Sequence, residues 1–333
     1  MKALFPVQNP PHAPSEQTLA MKVASVVRYR FFLYAGLLPY FLGASWAHGI
    51  DKTFRPGVFW LGLVGIFLAV VGVESFNEYF DAKMGTDRVF NPDADEYIPE
   101  GMFYLGTAAF ASAAMIGLWL ARQGGWPIML YTLLGGAAAV WYVGPPVRWV
   151  YRGLGETVIG LSYGPWMTLG SLHLHTHHFS WGALLASCVP GLLIMSLAVV
   201  NNIPDFHQDR LVGKRNLVVR LGRKNGRYLY LLLSAAGLLV IPVGAAAGVF
   251  PKFAVAAFAA GLPLWWGSLR AGRETWDTPR LFVPASTPWR DSEVWQAKGY
   301  AIVRAVSPAA DPRKEAKRLK CSHALIDKDA VPL

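Results

Sequence analysis

Charge is scarce in this sequence and unevenly spread. Acidic and basic residues make up only 16% of the 333 positions, where a water-soluble domain carries about 25%. From Thr157 to Pro204 there is no Asp, Glu, Lys or Arg over 48 consecutive residues. A bilayer core is about 30 Å thick and is crossed by about 20 apolar residues in helical form, so this stretch holds two crossings and a short uncharged connection. Cysteine is almost absent too. Cys188 and Cys321 lie 133 residues apart, which excludes a disulfide framework and any zinc-binding spacing. The first 27 residues contain no apolar core long enough for a signal peptide and read as a cytoplasmic leader. A soluble globular enzyme and a disordered chain are both excluded.

What is present is apolar: 53% of the residues are hydrophobic and the mean hydropathy is +0.32. Hydropathy predicts an all-α, multi-span helical bundle with eight transmembrane segments, at 31–50, 57–76, 102–121, 126–144, 157–172, 181–203, 228–250 and 253–269. A further segment at 295–306 contains Lys298 and Arg304 and is not assigned a span. The chain therefore divides into a leader (1–27), a membrane domain (28–270) and a polar, basic tail (271–333).

Lys and Arg outnumber Asp and Glu by 31 to 21. Set against these spans, the excess points to an anionic lipid surface and not to nucleic acid. The leader and the loops after the second, fourth and sixth spans hold 15 Lys and Arg, and the opposite loops hold four: Lys52, Arg55, Arg122 and Lys252. The positive-inside rule places the amino terminus, the even-numbered loops and the tail in the cytoplasm. The expected location is the inner membrane of a cell, crossed many times.

Those even-numbered loops also carry two acidic motifs. NEYFDAKMGTD runs from Asn77 to Asp87 after the second span, and NNIPDFHQD runs from Asn201 to Asp209 after the sixth. Each has an Asn four positions before an Asp, Asn77 with Asp81 and Asn201 with Asp205, a spacing that puts both on one helix face. Asp209 extends the second face by a turn, and Gly85 bends the first chain so that Asp87 returns. Pro204 removes a backbone donor and disrupts the helix just before Asp205. Four spans separate the motifs, so both emerge on one membrane face, and the spacing of 124 residues suggests two similar four-helix halves.

A single Asp at a helix end is ordinarily a cap or a solvated loop residue. The matched pair on one face is not explained that way. Asp81, Asp87, Asp205 and Asp209 repel one another unless cations lie between them. Magnesium takes oxygen ligands and is usually held by a few carboxylates together with substrate phosphates. The basic run from Arg210 to Arg227 lies beside the second motif and would neutralise charge that the metal leaves over. The combination suits a metal–diphosphate complex, with the apolar bundle below it available to a long hydrocarbon tail.

At these residues the sequence resembles the UbiA-type intramembrane prenyltransferases, and most closely the branch that prenylates 1,4-dihydroxy-2-naphthoate in menaquinone synthesis. The resemblance rests on the two acidic motifs, on GKRNLVVRLG from Gly213 to Gly222, and on YVGPPVRWVYRGLGE from Tyr142 to Glu156. It implies a helical barrel around a central cavity, normally of nine spans, and two Mg2+ ions bridging an allylic diphosphate of geranylgeranyl or longer type. Asp81, Asp87, Asp205 and Asp209 would be the metal ligands. Asn77 and Asn201 would complete their shell or bind a diphosphate oxygen. Lys83, Lys214 and Arg215 would contact diphosphate, with Arg148 and Arg220 as further candidates. Tyr142 would face the allylic cation or the aromatic acceptor, its ring stabilising positive charge. The sequence departs from the family in lacking a clear ninth span, in carrying Arg148 where a Lys is expected, and in having Pro204 where the naphthoate branch commonly has a basic residue.

Glu74, one turn before Asn77, is either a base for the acceptor or a helix-end acid bonded to a neighbour. The run HLHTHHF, holding His173, His175, His177 and His178, reads as a solvated loop on the face opposite the acidic motifs. Other acceptors within the same chemistry are 4-hydroxybenzoate, homogentisate, haem, a chlorophyllide and a glycerol phosphate ether lipid. A membrane transporter is the alternative of another class, but its acids would lie at the bilayer midplane.

Overall fold

In a computed structural model of the chain, residues 37–84 and 100–275 are described, and these are helical with no strand among them. The leader, Gly85, Asp87, the segment at 295–306 and the tail beyond residue 275 lie outside the described residues, while 271–275, assigned to the tail from sequence, continue the last helix. The elements are α1 (Leu38–Gly49), α2 (Pro56–Lys83), α3 (Glu100–Gly124), α4 (Trp126–Val140), α5 (Gly155–Leu161), a π turn (Ser162–Trp166), α6 (Met167–Thr176), α7 (Trp181–Asn202), α8 (Phe206–Leu211), α9 (Leu217–Leu221), α10 (Arg223–Ala246) and α11 (Val255–Thr275). The described parts of the eight segments expected from hydropathy fall largely on these helices; residues 31–36 of the first lie outside the described residues. Four helices, α2, α3, α7 and α10, are individually long and apolar enough to cross a membrane.

Local chemistry sets the helix ends. Pro stands in the first turn of α1, α2 and α4, where its missing N–H is no loss and its fixed φ suits the helix. Ser180 caps α7 by accepting from the Ala183 N–H at 3.3 Å. α3 passes into α4 through Gly125, whose φ of 78° lies in the left-handed region and permits the sharp reversal.

Large apolar side chains point outward all round, Trp60, Leu133, Leu232 and Leu264 among them. Helices that are apolar on every side belong in lipid or in a large core. Between helices the contacts are made by small residues, as expected where lipid is as apolar as Leu. One such contact joins the π turn to α7: a methyl group on Gly164 would lie 2.7 Å from the Gly191 Cα and 2.9 Å from the Ser187 carbonyl oxygen. The two motif-bearing helices each pack along a long neighbour, α2 along α3 and α7 along α10. α1 lies on α6, and α6 in turn touches α2 and α4, so the helices enclose a space.

The end opposite the acidic motifs is clasped by polar groups. His173 and His175 are in α6 and not in a solvated loop, and His175 is only 3% exposed. The Arg55 backbone N–H donates to His175 Nδ1 at 3.1 Å, and Phe54 stacks on the His175 ring. The Arg55 guanidinium bonds the Leu174 carbonyl, His177 Nε2 and Gln123 Oε1. The cluster therefore ties α6 to the α1–α2 turn and to the end of α3. The loop reading overlooked that helix α6 runs through the first half of HLHTHHF.

Replacing Gly164 by Val forces the π turn off α7 and is expected to cost about 1–3 kcal/mol, seen as a lower thermal-unfolding midpoint in detergent.

Candidate functional site

The site forms where α2 and α7 end. α2 continues without a break through Asn77 and Asp81 to Lys83, so the first Asn–Asp pair shares a helix face as expected. The second pair does not. α7 stops at Asn202, residues 203–205 form a turn around Pro204, and α8 starts at Phe206. Asp205 thus sits outside the helix that carries Asn201. It stands instead at the head of α8, where its carbonyl accepts the Asp209 N–H at 2.8 Å, leaving Asp205 and Asp209 one turn apart.

Lys214 joins the two motifs. Its Nζ lies 2.9 Å from Asp81 Oδ1 and 3.7 Å from Asp209 Oδ1, while its backbone N–H donates to the Asp209 carbonyl at 2.8 Å. The Lys214 side chain is 11% exposed, and Asp81 and Asp209 are 34% and 7% exposed. Burial pushes the Asp209 carboxyl up to about 7; Lys214 opposes this, and the negative charges of Asp205 and Asp81 add to it. Burial alone would lower the Lys214 ammonium, yet the two carboxylates outweigh it and raise it. Asp205 therefore lies within electrostatic range of the Lys214-bridged pair.

Two residues that the sequence reading did not single out hold this arrangement. Asn216 is fully buried; its Nδ2 donates to Asp209 Oδ2 at 2.6 Å and its Oδ1 caps α9 by accepting from the Val219 N–H at 2.8 Å. The visible signal was an Asn placed directly before the apolar run LVV. Glu156 is 1% exposed, and its Oε1 accepts from Asn202 Nδ2 and from the Leu217 N–H, both at 2.9 Å. It thereby ties the end of α7 to the start of α9. No local spacing announces it.

The other expected residues are placed variously. Tyr142 lies just after α4 in the cavity wall, within electrostatic range of Glu156, Asp209 and Asp81. Arg148 adopts a left-handed φ of 54°, stacks its guanidinium over Tyr151 at 5.6 Å, and has a buried Nε without a hydrogen-bond partner among the described residues. Tyr151 itself lies within electrostatic range of Lys214 and Asp81. Lys83 is exposed at the end of α2 and lies over the Tyr79 ring. Arg215 is exposed in the loop after Lys214. Arg220 binds the carbonyls of Arg215 and Arg152, so it fastens two loops together. Asp87 lies outside the described residues.

A cavity of about 490 Å³ begins at Asn77, Asn201 and Asn202 and runs into the bundle. α2 lines it from Gly62 to Asn77, about 22 Å along the helix at 1.5 Å per residue. Below Glu74 the walls are mostly apolar, with Val70, Ile66 and Phe110, and the far end is lined by Tyr40 and Leu174. The donors at the mouth are hard oxygens, and Asn77 Oδ1 is buried without a hydrogen-bond partner among the described residues. No three His, Cys, Asp or Glu side chains among the described residues are gathered closely enough to enclose an ion. The place between Asp81 and Asp209 is taken by the Lys214 ammonium, which shows that it accepts positive charge. An oxygen-seeking divalent cation fits such donors.

Residues 36–283 match the family model described as the UbiA prenyltransferase family. The chain is similar to the 2-carboxy-1,4-naphthoquinone phytyltransferase of Synechocystis, 26% identical over 248 residues that cover 71% of this chain and 78% of the relative. It is 30% identical over 210 residues to the 1,4-dihydroxy-2-naphthoate octaprenyltransferase of Mycobacterium leprae, covering 60% and 68% of the two chains. A solved UbiA homolog from Archaeoglobus fulgidus, bound to DMAPP and Mg2+, shares the fold with a TM-score of 0.55 at 12% identity, over 85% of this chain and 98% of that one.

Asp209, whose carboxyl is held near 7 by burial, binds a proton more tightly folded than unfolded. Its contribution to stability is complete below its ordinary value of 3.8 and is lost as the pH rises through about 7. In chelator-treated protein the gap in unfolding midpoint between wild type and Asp209→Asn should shift against the wild type across that interval. Asn216→Ala, which uncaps α9 and strips Asp209 of a bond, should lower stability by about 1–2 kcal/mol by chemical denaturation.

Proposed function

This chain belongs to the UbiA prenyltransferase family, and from that premise we propose that it transfers an isoprenoid chain from an allylic diphosphate to 1,4-dihydroxy-2-naphthoate in menaquinone synthesis. It is an integral membrane enzyme, a prenyltransferase whose acid-ended cavity separates a charged headgroup site from an apolar tail site. The observation that carries the reading is the Lys214 ammonium held between Asp81 and Asp209 at the mouth of that cavity. The naphthoate acceptor is supported by the names of the relatives, which act on naphthoate-type rings.

Asp81, Asp205 and Asp209, with Asn77 and Asn201 beside them and Asp87 later in the first motif, would hold two Mg2+ ions. Bound there, magnesium would neutralise charge on the leaving diphosphate. Lys214 already balances Asp81 and Asp209, and on binding it can turn one or more of its three donors to phosphate oxygens. Arg148, Lys83 and Arg215 stand around the same mouth and add positive charge where diphosphate charge develops. As the allylic C–O bond breaks, the electron pair leaves with diphosphate and the carbon end becomes cationic. The apolar walls below Glu74 exclude water from it, and the Tyr142 ring offers its electron-rich face. A ring carbon of the acceptor then forms the new C–C bond and the ring loses its carboxyl group as CO2, or a proton in acceptors that keep the carboxyl.

The Lys and Arg asymmetry supports an orientation with the mouth facing the cytoplasm. Within the same family a different aromatic acceptor would use the same diphosphate site. A transporter reading is not favoured, because the acids gather at helix ends and not at mid-bilayer.

Purified protein in detergent, given geranylgeranyl diphosphate, Mg2+ and 1,4-dihydroxy-2-naphthoate, should release inorganic diphosphate and form prenylated naphthoquinol. Asp81→Ala and Asp205→Ala should each lose about 10²–10³-fold in turnover while remaining in the membrane fraction. Near-normal rates in either variant would refute the ligand assignment. Release of diphosphate that 4-hydroxybenzoate stimulates and naphthoate does not would reassign the acceptor.

A further inference from the structure

The fully buried Ser and Thr side chains of the described helices all have an oxygen to bond. Ser75, Ser187, Ser196, Ser234 and Ser268 donate to carbonyls of their own helices. Thr168 and Ser171 reach across to the carbonyls of Pro39 and Tyr40. Ser162 differs: its Oγ is buried and has no hydrogen-bond partner among the described residues. A helical Ser normally escapes this by bonding a carbonyl one turn back, and a buried hydroxyl left without a hydrogen bond is destabilising.

The backbone explains how the exception persists. Ser162 opens the π turn, which contains Pro165 and closes through the Met167 N–H donating to the Ser162 carbonyl. Single π turns recur at functional sites. Gly164 is clamped against Gly191, so the turn is fixed by packing and cannot relax toward α geometry. Ser162 lines the cavity and is itself partly open to it. A ligand in the cavity can therefore take up the hydroxyl without breaking any hydrogen bond to a described residue.

What the cavity holds at this level follows from its walls. Tyr163 is next on the same turn and lies within electrostatic range of Glu74, and both line the cavity with Ser162. Glu74 is one turn below Asn77 on α2. These polar groups thus sit between the acid mouth and the apolar depth. Diphosphate belongs with the acids and basic residues above, and a hydrocarbon tail has no polar atom to offer. The remaining reactant is an oxygen-bearing aromatic ring, which must lie against the carbon next to diphosphate for a bond to form.

We propose that Ser162 is an acceptor-binding residue, its Oγ hydrogen-bonding a ring hydroxyl or ring carboxylate of the aromatic acceptor at the level of Glu74 and Tyr163. The assignment rests on the prenyl-transfer reading and adds to it the residue that orients the ring. Two variants test it in the full-length protein, with 1,4-dihydroxy-2-naphthoate as the probe. Ser162→Ala should raise the acceptor KM about tenfold, one net hydrogen bond, with the KM for geranylgeranyl diphosphate unchanged. Ser162→Thr, which keeps the hydroxyl, should restore the acceptor KM. Because no bond within the protein is lost, Ser162→Ala should unfold at or above the wild-type midpoint. Trp166 lines the same cavity, so quenching of tryptophan fluorescence reads acceptor binding without turnover and should weaken by the same factor. If the wild type transfers prenyl groups while both acceptor measurements stay within about twofold in Ser162→Ala, the Ser162 assignment is overturned and the transfer reading stands. If the wild type transfers to no aromatic acceptor, both fall together.

Discussion

The Lys214 ammonium, 2.9 Å from Asp81 and 3.7 Å from Asp209, is the contact on which the charged end of this protein depends. An ionised carboxylate inside a bilayer is costly, about 2.5–3.5 kcal/mol at a helix centre on insertion scales, and three converging at one mouth would add repulsion to that cost. Placing the acids at the ends of α2 and α7 moves them away from the midplane. Placing a cation between two of them removes most of what remains. The bridge also links residues 133 positions apart in the chain, since Asp81 ends the second expected span and Lys214 follows the sixth.

A bridge of this kind holds only if its partners cannot turn away, and the chain spends several buried polar residues on that. Asn216 fixes Asp209 from one side while capping α9, so one side chain sets both a carboxylate and the helix beginning beside it. Glu156 does the same for backbone, gathering Asn202 from α7 and the Leu217 N–H from α9 onto one oxygen. Arg220 then fastens the loop after Lys214 to the loop holding Arg152. Residues read from sequence as diphosphate contacts thus divide by position. Lys214 lies among the acids, whereas Arg220 is engaged in holding carbonyls.

Hydropathy made the membrane helices legible, because about 20 apolar residues without charge have few structural alternatives. The two acidic motifs were legible for a similar reason: their matched Asn–Asp spacing repeats on one face after an even number of spans. Periodicity failed where the backbone is irregular. Asn201 and Asp205 share a spacing but not a helix, since Pro204 cannot continue α7. The His cluster looked like a polar loop because composition cannot see that α6 extends through His173 and His175 to meet Arg55. Glu156 was invisible for a deeper reason. A buried acid is recognised by its donors, and both of its donors come from segments more than 40 residues away.

The site is also one with its hydrocarbon channel, for a geometrical reason. α2 supplies Asn77 to the mouth and, on the same face, Val70, Ile66 and Gly62 to the wall below. A helix that grips a headgroup with its last turn necessarily directs the rest of that face along the tail. The order of side chains down α2, from Asp81 and Asn77 through Glu74 to Val70 and Ile66, therefore runs from ionic to polar to apolar in about 22 Å. An amphiphile entering this space has one stable direction, headgroup at the acids and chain toward Tyr40. On the proposed reading, the carbon joining the two lies level with Glu74, Ser162 and Tyr163, where the wall offers polar groups between the acids and the apolar depth.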